Sequence, residues 1–437
     1  MKTVRMRAAR TTIGVVVACL AATACSPGAS VREPVTTVSP NDAPSASTAT
    51  TSADPSSPST SPTPAVTLDP VRAGWTRSIE QTIGGRNVSV AVGADGTIRF
   101  MQAGSLRRIP ASNQKLLTSM AALDTFGPDH RFVTAAASRR GPKDGTLRGD
   151  LWIVGSGDPE IGAGSMARLA DAIRAAGISR ITGRVVGDTS AFTREWWAPG
   201  WVPGLSRSYV TRTTALAFDG NGGSGLPEEA AAASLTAALR ARGVEVDGGR
   251  PSAGAAPATL EPVAQIASRP LRDLLAVQNH GSVNFYAETL LKALGAQATG
   301  GVGSTAAGAE VVQAWAARHG VEAQVRDGSG LSHQDLVSAQ GLVTLLLLAQ
   351  DQAWGRALDA SLAPPGDGTL GARLIGIPVR AKTGTLFETP VSSLSGYVTD
   401  ADGARVAFSV ISRGLDKGTA ISIEDAIVRA LARSRVG

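Results

Sequence analysis

The folded part of this sequence begins and ends in strand-like segments, and that order most limits the fold it can adopt. Val88, Val90 and Val92 alternate with other residues, Asp95-Gly96 supplies a turn, and Ile98 and Phe100 resume the alternation. That is the pattern of a β-hairpin. Far downstream, residues 379–385, 393–398 and 405–412 read as strands, and an amphipathic helix over 423–433 closes the chain. Between these ends a helix starts near Ser112, with Leu116, Leu117, Met120 and Leu123 making it apolar on most faces. Residues 145–260 mix short strand-like runs (151–154, 184–187) with alanine-rich helical stretches (165–176, 228–242), and helices dominate 268–295 and 305–319. The order predicts an α/β (α+β) domain whose sheet is assembled from both ends of the chain, packed with helices and interrupted by an insertion.

What precedes the body is of another kind. Residues 1–25 have a basic start (Lys2, Arg5, Arg7, Arg10), an apolar stretch over 13–22 and small residues up to Cys25. This reads as an export signal. Its end is open to three readings: a lipobox with Cys25 as the lipidated residue, an ordinary cleavage after Ala24, or an uncleaved anchor. Residues 26–69 are rich in Ser, Thr, Pro and Ala and hold no aromatic residue, as in a tether that cannot bury enough surface to fold.

Composition then removes several classes. The net charge of +6 owes much to the four basic residues of the signal, and the body has no dense Lys/Arg run, so nucleic acid is not an expected partner. Two cysteines, Cys19 inside the apolar stretch and Cys25 at the end of the signal, exclude a disulfide framework. The four histidines (His130, His280, His319, His333) have no metal-ligand spacing, and neither metal nor organic cofactor is expected. Residues 301–306 imitate a dinucleotide fingerprint, but no strand leads into them, and Ser304 reads better as a helix cap. Trp196, Trp197 and Trp201 read as packing within the insertion. Only six of 42 basic residues are lysines: Lys2, Lys115, Lys143, Lys292, Lys382 and Lys417. Lysine can lose its proton when desolvated and arginine cannot, so a lysine in a suggestive context stands out.

Three short motifs supply such contexts. Ser112-Asn113-Gln114-Lys115 puts a hydroxyl and an amine on one helix face, where a neutral lysine could take the serine proton. Alone, the same residues are equally a capping serine and a snorkelling lysine. Ser282-Val283-Asn284 offers a hydroxyl for proton relay and an amide for holding substrate, and is otherwise a polar loop. Lys382-Thr383-Gly384-Thr385 lies in a strand pattern, with a glycine where a ligand can approach the backbone. Its Lys and Thr side chains suit a carboxylate, and the N–H groups of Thr385 and Ser112 suit an oxyanion. The ordered set S-x-x-K, S-x-N, K-T-G is the signature of penicillin-recognising serine enzymes.

The segments 110–118, 126–132, 155–159, 327–332 and 395–397 make the resemblance closer. Over about residues 75–435 the chain resembles the D-alanyl-D-alanine carboxypeptidase/endopeptidase family, the class C low-molecular-mass penicillin-binding proteins. The resemblance implies the penicillin-binding-protein/serine β-lactamase-like transpeptidase fold. It makes Ser112 the acylated nucleophile and Lys115 its base. Ser282 and Asn284 would serve proton transfer and substrate holding, and Lys382, Thr383, Gly384 and Thr385 would bind the terminal carboxylate and line the oxyanion hole. Peptidoglycan stem peptides are the implied substrate, β-lactams the implied covalent inhibitors, and the site extracytoplasmic, with the N-terminus on the membrane. Relatives carry an extra domain between the first two motifs, which agrees with the 170 residues from Ser112 to Ser282. The expected organisation is signal 1–25, linker 26–69, catalytic domain 70–135 with 262–437, and insertion 136–261. Val283 stands where relatives often have a polar residue, and His333-Gln334 where close relatives have Arg then Asn. Two other readings remain: a β-lactamase or esterase of the same fold, which lacks support because no Glu has an Asn four places on, and a catalytically silent wall-binding lipoprotein.

Overall fold

The computed structural model describes residues 74–204 and 206–437. The expected signal, Cys25 and the linker lie outside the described residues.

The sheet that organises the fold is built from both ends of the chain. Its strands run in the order Val379–Leu386, Val391–Thr399, Arg405–Arg413, Val88–Ala94, Thr97–Gln102, all antiparallel. Val88 lies opposite Ser412, so the first hairpin is joined to the last strand. The hairpin turns on Asp95 and Gly96, both with positive φ (49° and 70°), as the Asp-Gly pair requires. The period-2 pattern divides the side chains between two cores. Val88, Val90 and Val92 meet Ile79 of helix Gly74–Ile83 and Ile427 of helix Lys417–Ala432 on one face. Ala91 and Ile411 face the other side, with Leu117 and Met120 of helix Gln114–Phe126 and Leu346 of helix Ala339–Asp351. Burial on both faces explains why Val88–Ala94 carries no charged residue and has Ser89 as its one polar side chain.

The insertion has its own sheet, in the order Ser252–Gly254, Val185–Asp188, Leu151–Gly155, Val133–Ser138, Glu261–Ala267. Its first and last strands in the sequence pair with each other, Thr134 opposite Ile266, so this sheet reaches from 133 to 267. Helices Ala163–Ala175 and Pro227–Arg240 close its core over Leu151, Ile153, Leu169 and Leu235. Ser304 accepts from Ala307 N at 3.0 Å and caps helix Thr305–Arg318. Helices Gly74–Ile83 and Ala339–Asp351 are elements not expected above. The first carries Trp75, Ile79 and Ile83 four apart and buries that one face, a readable pattern. The second is apolar on every side because it lies between the central sheet and other helices.

Candidate active site

Ser112 lies in a single 3-10 turn, Ala111–Asn113, and the α-helix proper begins at Gln114. Ala111 has φ +49°, a left-handed conformation that costs a residue with a Cβ about 1 kcal/mol. Its surroundings hold it there. Gly330 presses on the Ala111 carbonyl so closely that any side chain at 330 would collide with it. Ser393 Oγ donates to the Pro110 carbonyl at 2.7 Å, and Asn113 Nδ2 donates to Ser395 Oγ at 2.8 Å. The turn is thereby fixed to strand Val391–Thr399.

Lys115, one helical turn on, is fully buried. Its Nζ donates to Ser112 Oγ at 3.1 Å, to Asn284 Oδ1 at 2.7 Å and to the Ser329 carbonyl at 2.7 Å. Burial lowers its pKa from 10.5 to about 8, and the nearby Asp327, Glu288 and Asp335 oppose that fall. Asn284 begins helix Asn284–Thr299, and its Nδ2 donates to the Tyr209 carbonyl at 3.0 Å. Oxygen toward lysine and nitrogen toward Tyr209 leave the amide one orientation. Ser282 sits just before this helix with φ +54°.

Behind the lysine lie three buried carboxyl groups that motif reading did not single out. Glu288 accepts from Gly328 N at 3.0 Å and Ser329 N at 2.8 Å, which leaves the Ser329 carbonyl for Lys115. Asp327 accepts from Gly330 N, Ser332 N and the indole of Trp201 at 2.6, 2.8 and 2.7 Å. Burial, with Asp327 nearby, raises Glu288 to about 8 and Asp335 well above the carboxylate range. Asp327-Gly-Ser-Gly was legible as a segment; Glu288 would have been findable only as the residue one turn after Asn284.

Strand Val379–Leu386, the sheet's edge, brings the third motif to the serine. Lys382 and Gly384 point toward the Ser112 turn. A Cβ on Gly384 would lie 3.0 Å from Ser112 N and would collide with Ser393 Oγ, so only glycine lets strand and turn meet. Lys382 is fully buried and donates to the Thr383 carbonyl at 2.8 Å; burial, then Lys115, holds its pKa well below the usual lysine value. Thr383 and Thr385 project to the opposite face, and Thr383 Oγ1 donates to Thr369 Oγ1 at 2.6 Å. The structure thus brings together all eight residues of the three motifs that sequence singled out. It adds Thr369, Arg373, Lys417 and Tyr209, which line the same cleft of about 320 Å³ with Ser112, Ser282 and Asn284.

One stretch of the insertion, 193–210, reaches this centre repeatedly. Lys292 is buried and donates to the carbonyls of Thr193 and Glu195 at 2.9 and 2.6 Å. Ser332 Oγ donates to the Pro199 carbonyl at 2.6 Å, and Trp201 and Tyr209 make the bonds given above. The guanidinium groups of Arg194 and Arg212 lie over the Trp196 ring, 5.0 and 5.2 Å from its centre. The histidines have separate tasks. His130 stacks on Phe126, His319 Nδ1 meets the Trp315 carbonyl at 2.9 Å, and His280 pairs with Asp367. His333 lines the cleft.

A serine hydroxyl held against a desolvated lysine, on a central sheet with helices on both faces, defines the serine-peptidase class of penicillin-binding folds. The chain belongs to the D-Ala-D-Ala carboxypeptidase 3 (S13) family, whose model matches residues 77–224 and 223–434. It is 29% identical to a D-alanyl-D-alanine carboxypeptidase of Actinomadura sp. (strain R39), across 78% of this chain and 79% of that one. It is 28% identical to carboxypeptidase DacB of Mycolicibacterium smegmatis, across 83% of this chain and 85% of that one. Among solved structures, penicillin binding protein 4 (dacB) of Haemophilus influenzae shares the fold at TM-score 0.71 and 22% identity, covering 83% of this chain and 100% of its own.

Proposed function

We propose that this chain is an exported serine DD-peptidase that cleaves D-Ala-D-Ala termini or peptide cross-links of peptidoglycan through an acyl-enzyme on Ser112. The observation that carries the reading is the buried Lys115 amine, 3.1 Å from Ser112 Oγ, with a pKa of about 8. In its neutral form the amine takes the Ser112 proton as Oγ attacks the carbonyl of the penultimate D-Ala. The Ser112 and Thr385 N–H groups receive the oxyanion. The C–N bond breaks, the proton passes by way of Lys115 and Ser282 to the leaving amine, and water then hydrolyses the ester. Asn284 holds the substrate amide, and Thr383 and Thr385 hold the terminal carboxylate with Lys382 behind them. β-Lactams acylate the same serine. The basic and apolar start of the chain supports export, with Cys25 as the lipid acceptor and the catalytic body outside the membrane.

The test is to incubate the protein with a fluorescent penicillin and, separately, with a peptide ending in D-Ala-D-Ala, with Ser112→Ala as control. A stable label lost in the variant, together with D-Ala release, is the expected result. Rapid turnover of the label would make the protein a β-lactamase, and absence of any label would make it a silent wall-binding protein.

A further inference from the structure

Lys115 and Lys382 belong to the motifs, and Lys292 holds the insertion. Lys417 has no such assignment, yet it stands in the catalytic cleft beside Thr383, Thr385, Thr369 and Arg373. Its position is unfavourable on three counts. It is the first residue of helix Lys417–Ala432, where the helix dipole disfavours a cation. It is half-buried, and burial pulls its pKa down. Arg373, a second cation, pulls it down further, and only Glu424 opposes. Nothing in the helix itself gains from a lysine here, since Asp416 already caps it by accepting from Thr419 N at 2.9 Å.

What Lys417 touches is specific. Thr385 and Ser392 are directly opposed on neighbouring strands, and Lys417 Nζ donates to both hydroxyls, to Thr385 Oγ1 at 2.5 Å and to Ser392 Oγ at 3.1 Å. Ser392 Oγ in turn donates to Glu424 Oε1 at 2.6 Å, and Arg373 Nη2 donates to Glu424 Oε2 at 2.8 Å. An ammonium group has three donors and no acceptor. Thr385 Oγ1 must therefore accept from it, and the threonine's own hydrogen is free to point into the cleft. The same arrangement sets a positive charge directly behind that hydroxyl.

We propose that Lys417 is a positioning residue for the terminal-carboxylate subsite: it fixes the Thr385 hydroxyl as a donor and supplies positive charge beside it, and so makes a free C-terminal carboxylate a requirement of the substrate. This rests on the reading of Ser112 and the Lys382-Thr383-Gly384-Thr385 strand given above.

The experiment compares an acyl-D-Ala-D-Ala peptide with an acyl-D-Ala thioester whose leaving group has no carboxylate. The wild type, Lys417→Met, Lys417→Arg, Thr385→Val, the Lys417→Met/Thr385→Val double variant and Ser112→Ala are assayed on both. Lys417→Met should lower the ratio of kcat/KM for peptide over thioester by about 10- to 100-fold, the worth of a charge-assisted hydrogen bond. Lys417→Arg should restore most of that ratio, and the double variant should be no worse on the peptide than the worse single one. Equal losses on both substrates would make Lys417 a support of the fold and overturn the proposal. So would an unchanged ratio, or losses from the two single variants that simply add. Turnover that persists in Ser112→Ala would instead overturn the underlying site, so the two failures are distinguishable.

Discussion

Lys115 Nζ donates to Ser112 Oγ at 3.1 Å from a site closed to solvent, and the same burial that fixes this geometry lowers the pKa of the amine to about 8. Only the neutral amine can accept the serine proton, so acylation should rise with pH. About a tenth of the amine is neutral at pH 7 and about nine-tenths at pH 9, a gain of roughly tenfold that levels off above. Stopped-flow acylation by a chromogenic β-lactam between pH 6 and 10 measures this limb. Lys115→Ala should keep the fold and lose acylation by a factor of about 1,000 or more; a variant that acylates undiminished removes Lys115 from the base role.

Gly384→Ala tests the close approach of strand and turn. The added methyl would collide with Ser393 Oγ and crowd Ser112 N, so Ser112 must shift relative to the edge strand. Acylation should fall by about 100-fold, as a misplacement near 1 Å costs, with a smaller loss of stability of about 1–3 kcal/mol. A variant with wild-type acylation would show that the oxyanion site tolerates a wider gap.

Trp201→Phe removes the indole N–H from buried Asp327 and leaves its backbone donors in place. Loss of one hydrogen bond to a charged group should destabilise the protein by about 1–3 kcal/mol in urea unfolding. Acylation should slow as well, because Asp327 shapes the loop whose Ser329 carbonyl receives Lys115. Unchanged unfolding would mean that the contact contributes nothing to the native state.

Asp158 gives a prediction about pH and stability. Burial raises its pKa from 3.8 to about 6, while its Oδ1 accepts from Glu160 N at 2.9 Å. Well below pH 4 both folded and unfolded chains hold the proton, and there is no cost. Between pH 4 and 6 the unfolded chain loses the proton first, so stability declines as pH rises, and above 6 the whole cost remains. A difference near two pKa units caps that cost at about 3 kcal/mol. Asp158→Asn keeps an acceptor for Glu160 N and removes the charge. It should therefore melt higher than wild type at pH 7.5 and no higher at about pH 2.5, by calorimetry at both values.

Residue chemistry at fixed spacing made much of the centre legible. Ser112 and Lys115 are three apart on one helical face, Lys382 and Gly384 share one face of a strand, and such local geometry survives folding. The central sheet was legible because its strands alternate or run apolar between turn signals. Contacts that join distant segments left no local trace. Tyr209 meets Asn284 through a backbone carbonyl, which any residue could supply. Lys417 was visible as a scarce lysine, but its meeting with Thr385 depends on how the last helix crosses the edge of the sheet. Lys292 shows the limit of scarcity as a guide, for it is as buried as Lys115 and its bonds serve only to hold the insertion. Helix Ala339–Asp351 lacks periodicity because all its faces are covered.

The pairing of Val88–Ala94 with Arg405–Arg413 sets an order of events on the chain. Ser112 leaves the ribosome early, but the strand that carries Lys382 has no place to dock until the two strands after it have closed onto the first hairpin. With Ser112 as the nucleophile proposed above, a chain lacking Arg405–Arg413 would keep Ser112, Lys115 and Asn284 but have no sheet on which the strand of Lys382 and Thr385 could dock, so acylation should appear only once that last strand is in place.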